Sequence, residues 1–194
     1  VRGLSLVAAL AASSALAHPQ GFHTRLALTL TRSAVTGLLV MDVDAGSRCA
    51  VLRQAADADL DGRVTGAEVT ALKERLTAMA LRPLKLGLSG AALAVTVKES
   101  KLSLRDDARV GEAGLSLALL LEVRHPRPVS EGLQLEVSDT SPDLSPVLVR
   151  VFQAVAPGAA PVAPFEVELE AGKTASVRLG RLGEAPLASG DAGR

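Results

Sequence analysis

Leu115-Ser116-Leu117-Ala118-Leu119-Leu120-Leu121-Glu122-Val123 carries leucine or valine at every second position. A strict period of two places those side chains on one face of a β-strand. Ala118 and Leu120 lie between them and are apolar too, so the stretch is expected to be a central strand covered on both faces. The same alternation recurs on either side of it. Leu84, Leu86 and Leu88 lead to the turn signal Ser89-Gly90, and Leu93, Val95 and Val97 are expected to lead back as a hairpin, with Leu102 and Leu104 extending that strand or opening another. Nearer the N-terminus, Leu26, Leu28 and Leu30 share one face, Arg32-Ser33 can turn the chain, and Val35, Leu39, Met41 and Val43 return with Leu38 and Val40 opposite. Towards the C-terminus, Leu133, Leu135 and Val137 form one strand and Val147, Val149 and Val151 another. After an Ala/Pro/Gly loop over residues 154–164, Phe165, Val167 and Leu169 are expected to pair across Ala171-Gly172-Lys173 with Val177 and Leu179. About eight short strands separated by turn signals fit an antiparallel β-sandwich or barrel-like domain. The strand–helix alternation of a doubly wound fold is missing from the pattern.

The period changes once. Ser47 is placed to cap a short helix running through Ala56, with Cys49, Leu52 and Ala56 at helical spacing. Further on, Val69, Leu72, Leu76 and Met79 recur at steps of three and four, with Lys73, Glu74 and Arg75 off that stripe, and Pro83 stops the helix. The fold class expected is therefore α+β, mainly β, with one helix–loop–helix inserted over residues 44–81.

The chain has 194 residues, 48% of them hydrophobic, which is enough for one domain with a core. With three Phe and no Tyr or Trp, that core must be built from Leu, Val and Ala. Lys+Arg and Asp+Glu balance at 21 each, so the basic footprint that nucleic-acid binding requires is missing. Arg2, the small apolar run from Leu4 to Leu16, and Ala15-Leu16-Ala17 read as a signal peptide over residues 1–17, with cleavage after Ala17. The expected product is a periplasmic or secreted β-rich domain over residues 18–181 with a flexible tail at 182–194. No later run reaches the ~18 apolar residues that a membrane-spanning helix needs. Cys49 is the single cysteine, so no internal disulfide forms, and a small buried apolar side chain is its expected role.

Between the two helices lies the densest set of oxygen ligands in the sequence: Asp57-Ala58-Asp59-Leu60-Asp61-Gly62-Arg63-Val64-Thr65-Gly66-Ala67-Glu68. A hard cation such as calcium takes roughly 6–8 oxygens, and a loop that wraps round it can supply them. Asp57, Asp59 and Asp61 stand at alternate positions, Gly62 permits a sharp bend with positive φ, Arg63 can offer its carbonyl, Thr65 can orient a water or ligate weakly, and Glu68 can close the loop with both oxygens. The stretch resembles the calcium loop of the EF-hand family at every ligand position, and the resemblance covers the loop and its flanking helices. It implies a bound Ca2+ held by Asp57, Asp59, Asp61, Arg63, Thr65 and Glu68, with Val64 facing inward. Leu60 departs from the family's usual polar or small residue, which would be explained if the loop packed on the sheet. Thr65-Gly66-Ala67-Glu68 is also a capping box, which needs no metal. The box explains Thr65 and Glu68 but leaves three aspartates repelling one another in a tight loop. Asp139-Thr140-Ser141-Pro142-Asp143 is the nearest second loop, but it has Leu144 where the glycine belongs and Arg150 at the closing place. A lone loop points to a structural ion, with pairing to a loop on another chain left open.

Other chemistry is sparse. No G-x-S-x-G, H-E-x-x-H or phosphate loop is present, and Asp106-Asp107 and Ser130-Glu131 sit in no acid/base or nucleophile motif, so no enzymatic activity is expected. His18 would carry the α-amine of the cleaved chain and could chelate copper or nickel with His23 or His125, the alternative being a polar terminus beside a strand. His18-Pro19 after a signal peptide, two strands, the acidic loop and a helix leading to Leu84-x-Leu86-x-Leu88 are also similar to the extracytoplasmic N-terminal domains of bacterial nickel/cobalt permease-like proteins. That resemblance spans residues 17–148 and lacks the family's membrane helices, so it implies a stand-alone domain and carries over no transport activity. Two functions follow as expectations: a calcium-stabilised β-rich module that binds an unidentified protein partner, or an extracytoplasmic transition-metal accessory protein.

Overall fold

A computed structural model describes residues 21–31, 34–105, 108–124, 132–140, 146–153, 163–180 and 187–188. The expected signal peptide, His18, His125, the Arg32-Ser33 turn, Asp106-Asp107, Ser130-Glu131 and most of the expected tail lie outside these residues.

The elements follow in the order β1 (Phe22–Leu30), β2 (Val35–Val43), α1 (Ser47–Gln54), α2 (Gly66–Leu81), β3 (Leu84–Leu88), β4 (Ala91–Ala92), β5 (Ala94–Leu104), β6 (Leu115–Arg124), β7 (Gln134–Asp139), β8 (Val147–Gln153), β9 (Phe165–Leu169), β10 (Thr174–Arg178) and β11 (Leu187–Ala188). Six strands form one open sheet in the order β5-β6-β2-β1-β8-β9, and five form a second in the order β11-β10-β7-β3-β4. One buried cluster draws leucines and valines from both sheets and from both helices. The described residues are mainly β with two helices, and among them the sheets end in open edges instead of closing into a barrel.

Alternation dictates which side chains are buried. In β1 Leu26, Leu28 and Leu30 are buried, in β2 Val35, Leu39, Met41 and Val43, and in β6 Leu115, Leu117, Leu119, Leu121 and Val123. β1 and β2 pair as the expected hairpin, Leu26 opposite Leu39 and Leu28 opposite Gly37. Gly37 is a packing glycine. A Cβ there would stand 3.1 Å from Leu28 Cδ2 and 3.3 Å from Leu121 Cβ, so the strand gives up a side chain to let its two neighbours meet.

Long-range pairing corrects four expectations. β6 is central, between β5 and β2, but only one of its faces is covered: Leu120 is 43% exposed and its neighbour Leu38 47%. The strand after Ser89-Gly90 is divided. Only Ala91–Ala92 pairs back on β3, and beyond Leu93 the chain crosses to the six-stranded sheet, where β5 pairs β6 with a register shift between Val97 and Glu99 before Leu102 and Leu104 continue the strand. The expected last hairpin also spans two sheets, since β9 pairs β8 and β10 pairs β7. Alternation is a local property and says nothing about which sheet a strand joins. Finally, β1 and β8 run parallel, so the larger sheet is mixed. Two sequence-distant strands need no hairpin and can pair in either sense.

The register makes a direct contrast testable. Leu119 is fully buried and its neighbour Leu120 is not. Leu119→Ala should cost about 2–5 kcal/mol in urea unfolding followed by circular dichroism, whereas Leu120→Thr should stay within roughly 0.5 kcal/mol of the unaltered protein. Equal losses would mean that β6 is covered on both faces after all.

Candidate metal centre

α1 begins with Gly46, φ 145°, as its N-cap, and Ser47 is the first helical residue, making no capping bond with its side chain. The Gly46 N–H goes instead to the carbonyl of Glu112, 2.7 Å away. The helix buries Cys49, Leu52 and, unexpectedly, Arg53. Its end feeds directly into the acidic loop through Asp57, whose N–H donates to the Arg53 carbonyl at 3.0 Å. α2 starts beyond the loop with Thr65 as N-cap and Glu68 completing the capping box. It buries Leu72, Leu76 and Ala80, with Val69 and Met79 partly buried, and lies against β5 and β6.

Between the helices the aspartates are drawn together by backbone amides. Asp57, 8% exposed, accepts from the Asp61 N–H on Oδ1 and the Gly62 N–H on Oδ2, each at 3.1 Å. Asp59 Oδ1 shares the Asp61 N–H at 3.1 Å, and Asp61 Oδ1 accepts from the Arg63 N–H at 2.7 Å. Two residues turn the chain with positive φ, Leu60 at 61° and Gly62 at 80°. Glycine adopts this conformation freely, whereas leucine does so at a cost. Leu60 is 82% exposed, so its side chain points into solvent and does not seat the loop on the sheet.

One carboxylate oxygen from each of Asp57, Asp59 and Asp61 lies within 4.8 Å of the others. Calcium binds oxygen at about 2.3–2.6 Å, so two oxygens on one ion can stand up to about 5 Å apart, and these three fit that limit. The other expected ligands are differently engaged. Glu68 Oε1 accepts from the Ala58 N–H at 2.6 Å and from the Asp59 N–H at 3.4 Å, while Oε2 accepts from the Thr65 N–H at 3.1 Å. The amides of Thr65 and Ala58 in particular hold the Glu68 carboxyl below the usual carboxylate range. Glu68 thus ties the start of the loop to its end, and the capping box supplies half of that tie. The structure brings the three aspartates together as a possible metal-binding group and leaves Glu68 outside it.

The loop also meets the sheet domain. Arg63 forms an isolated antiparallel bridge with Arg109, in the connection between β5 and β6. Val64 N–H donates to the Ala108 carbonyl at 2.7 Å and Val110 N–H to the Gly62 carbonyl at 2.8 Å. Val64 is fully buried, as an inward-facing residue should be. Arg53, also fully buried, donates from Nη1 to the Arg109 carbonyl at 2.6 Å and from Nη2 to the Gly114 carbonyl at 3.2 Å. Sequence reasoning missed Arg53. The available signal was its spacing: it stands four residues after Cys49 and three before Ala56, on the apolar stripe of α1.

His23, offered above as a copper or nickel ligand, places Nε2 2.7 Å from Asp44 Oδ2 on the surface. Among the described residues no helix is long and apolar enough to cross a membrane. Compared with known proteins, the chain matches no family model and no curated sequence.

Two outcomes follow from this geometry. A carboxyl whose pKa is lowered on folding binds fewer protons folded than unfolded. Its contribution is complete above the ordinary carboxylate range and is lost as pH falls through the folded value. In EDTA, thermal melts from pH 7 down to pH 3 should therefore show a shallower loss of stability for Glu68→Gln than for the unaltered protein, and parallel curves would show that the tie contributes nothing. Leu60→Gly should raise the unfolding free energy by about 0.5–1 kcal/mol, the strain removed less the flexibility gained. A lowered urea midpoint would contradict that.

Proposed function

We propose that the loop from Asp57 to Glu68 is an EF-hand-like site for Ca2+, and that the ion stabilises the helical insertion of a secreted or periplasmic β-rich interaction domain. The observation that carries this reading is the convergence of the Asp57, Asp59 and Asp61 oxygens within 4.8 Å. The donor set is all oxygen and strongly anionic, which suits a hard cation and not a soft one. The Asp57, Asp59 and Asp61 side chains and the Arg63 carbonyl would hold the ion, with Thr65 contributing weakly or through a water. Glu68 would join by exchanging its bonds to the Ala58 and Asp59 amides for the cation. When bound, the ion supplies the positive charge that neutral amides only approximate. The extracytoplasmic setting rests on the sequence of residues 1–17, and a single site there is expected to bind with Kd of order 10⁻⁴–10⁻³ M. At ten times Kd the ion would add ~1.4 kcal/mol to stability by mass action.

Calorimetry with CaCl2 should give one site in that range. Removing calcium with EDTA should lower the melting temperature, and Asp57→Ala or Glu68→Gln should abolish the difference. Identical melts with and without calcium would overturn the proposal. Micromolar copper or nickel binding that depends on His18 would favour the transition-metal alternative instead.

A further inference from the structure

We infer that the Ala108–Val110 backbone, held by the buried side chain of Arg53, positions the Arg63 carbonyl for the ion, so that calcium occupancy and the order of the β5–β6 connection are coupled. The inference rests on the calcium reading above. Its support is the pairing of the loop with the β5–β6 connection and the bonds of Arg53, with one bond, from the Arg63 N–H to Asp61 Oδ1, reaching an acidic side chain.

The two bonds of the bridge flank the pair Arg63–Arg109 instead of joining it: Val64 N–H to Ala108 and Val110 N–H to Gly62. In an antiparallel pair of this kind, the flanked residues direct their own N–H and C=O groups away from each other. Both facts are visible on either side. The Arg63 N–H goes to Asp61 Oδ1, on the aspartate side, and an extended residue sends its carbonyl to the same side as its N–H. The Arg109 carbonyl leaves on the far side and is taken by Arg53 Nη1 at 2.6 Å. The circuit closes within α1, because the Arg53 carbonyl accepts the N–H of Asp57, the first aspartate of the loop. Arg53 thus holds one end of the acidic loop with its main chain and the strand that aligns the loop's middle with its side chain. A second bond, from Nη2 to the Gly114 carbonyl, fixes the connection just before it enters β6.

An ion that draws on the Arg63 carbonyl would favour the bridged arrangement over any opened one. By reciprocity, the factor by which calcium favours the bridged arrangement is the factor by which the formed bridge strengthens calcium binding, so a variant that populates the opened arrangement binds more weakly. Val110→Pro removes the Val110 N–H and leaves the side chains of the loop untouched, and Arg109 before it is paired as a strand residue, the kind of backbone that a following proline favours. Arg109→Ala keeps both backbone bonds and serves as the control.

The experiment is calcium calorimetry on the full chain and both variants, with hydrogen exchange of the unaltered chain in CaCl2 and in EDTA. Calcium should slow exchange both at residues 58–68 and at Val110, and Val110→Pro should bind more weakly, by up to about tenfold, the limit set by one lost backbone hydrogen bond, while Arg109→Ala binds as the unaltered chain does. Calcium binding with protection confined to residues 58–68 and an unchanged affinity in Val110→Pro would overturn the coupling and leave the calcium site standing. No calcium binding by the unaltered chain would overturn both. Should Val110→Pro fail to fold, as judged by circular dichroism, the exchange of Val110 in the unaltered chain decides alone: calcium-dependent protection supports the coupling and its absence overturns it.

Discussion

Three carboxylates whose oxygens lie within 4.8 Å of one another repel, and the loop persists only because something opposes that repulsion. The polypeptide's own answer is its amides. The N–H groups of Asp61, Gly62 and Arg63 point at the aspartates, and those of Ala58, Asp59 and Thr65 point at Glu68. Such convergence demands a tight path, and Leu60 and Gly62 provide it with two positive φ angles in three residues. Amides are dipoles and carry no net charge, so they orient the carboxylates without neutralising them. A cation would add the one thing the backbone lacks, and the three aspartates stand close enough to hold one.

The magnitudes separate what the ion would govern from what it would not. Burying Leu72 and Leu76 is worth roughly 1.5–3 kcal/mol for each side chain, an upper estimate because the unfolded chain is already partly compact. Binding at ten times Kd adds ~1.4 kcal/mol. α2 therefore stays on the sheet by virtue of its apolar stripe, and an ion would act chiefly on the loop that joins α1 to α2. An insertion so arranged has an apolar core held by its own packing, and on the proposed reading metal would act on the connecting loop alone.

Much of this arrangement was legible as periodicity. The burial of β1, β2 and β6 follows from alternation alone, and the stripe of α2 follows from steps of three and four, because both patterns record which face meets the core. Partner choice was not legible. The two misjudged hairpins, at Leu93 and at Lys173, join strands that alternate correctly and belong to different sheets, and the parallel union of β1 with β8 links segments more than a hundred residues apart, where no local signal reaches. At the site, the aspartates and the Gly62 turn could be read residue by residue, since their spacing is the chemistry. Arg53 offered only its place on the apolar stripe of α1, and what a guanidinium does there depends on carbonyls that come from residues 109 and 114.

The connection that supplies those carbonyls also gives the loop a strand partner. The extended stretch from Gly62 to Val64 would expose a carbonyl and an N–H if nothing lay beside it, and exposed backbone of this kind invites pairing with another chain. Here Ala108 and Val110 already occupy both groups, and burial of Val64 seals the contact. A loop from a second molecule would have to displace two intramolecular hydrogen bonds and loosen the Arg53 clamp behind them before gaining equivalent bonds of its own. The intramolecular partner is held at the site by the fold, whereas the second molecule must also lose its freedom of motion. The connection between β5 and β6 thus gives the acidic loop a strand partner within its own chain, inside a β-rich domain.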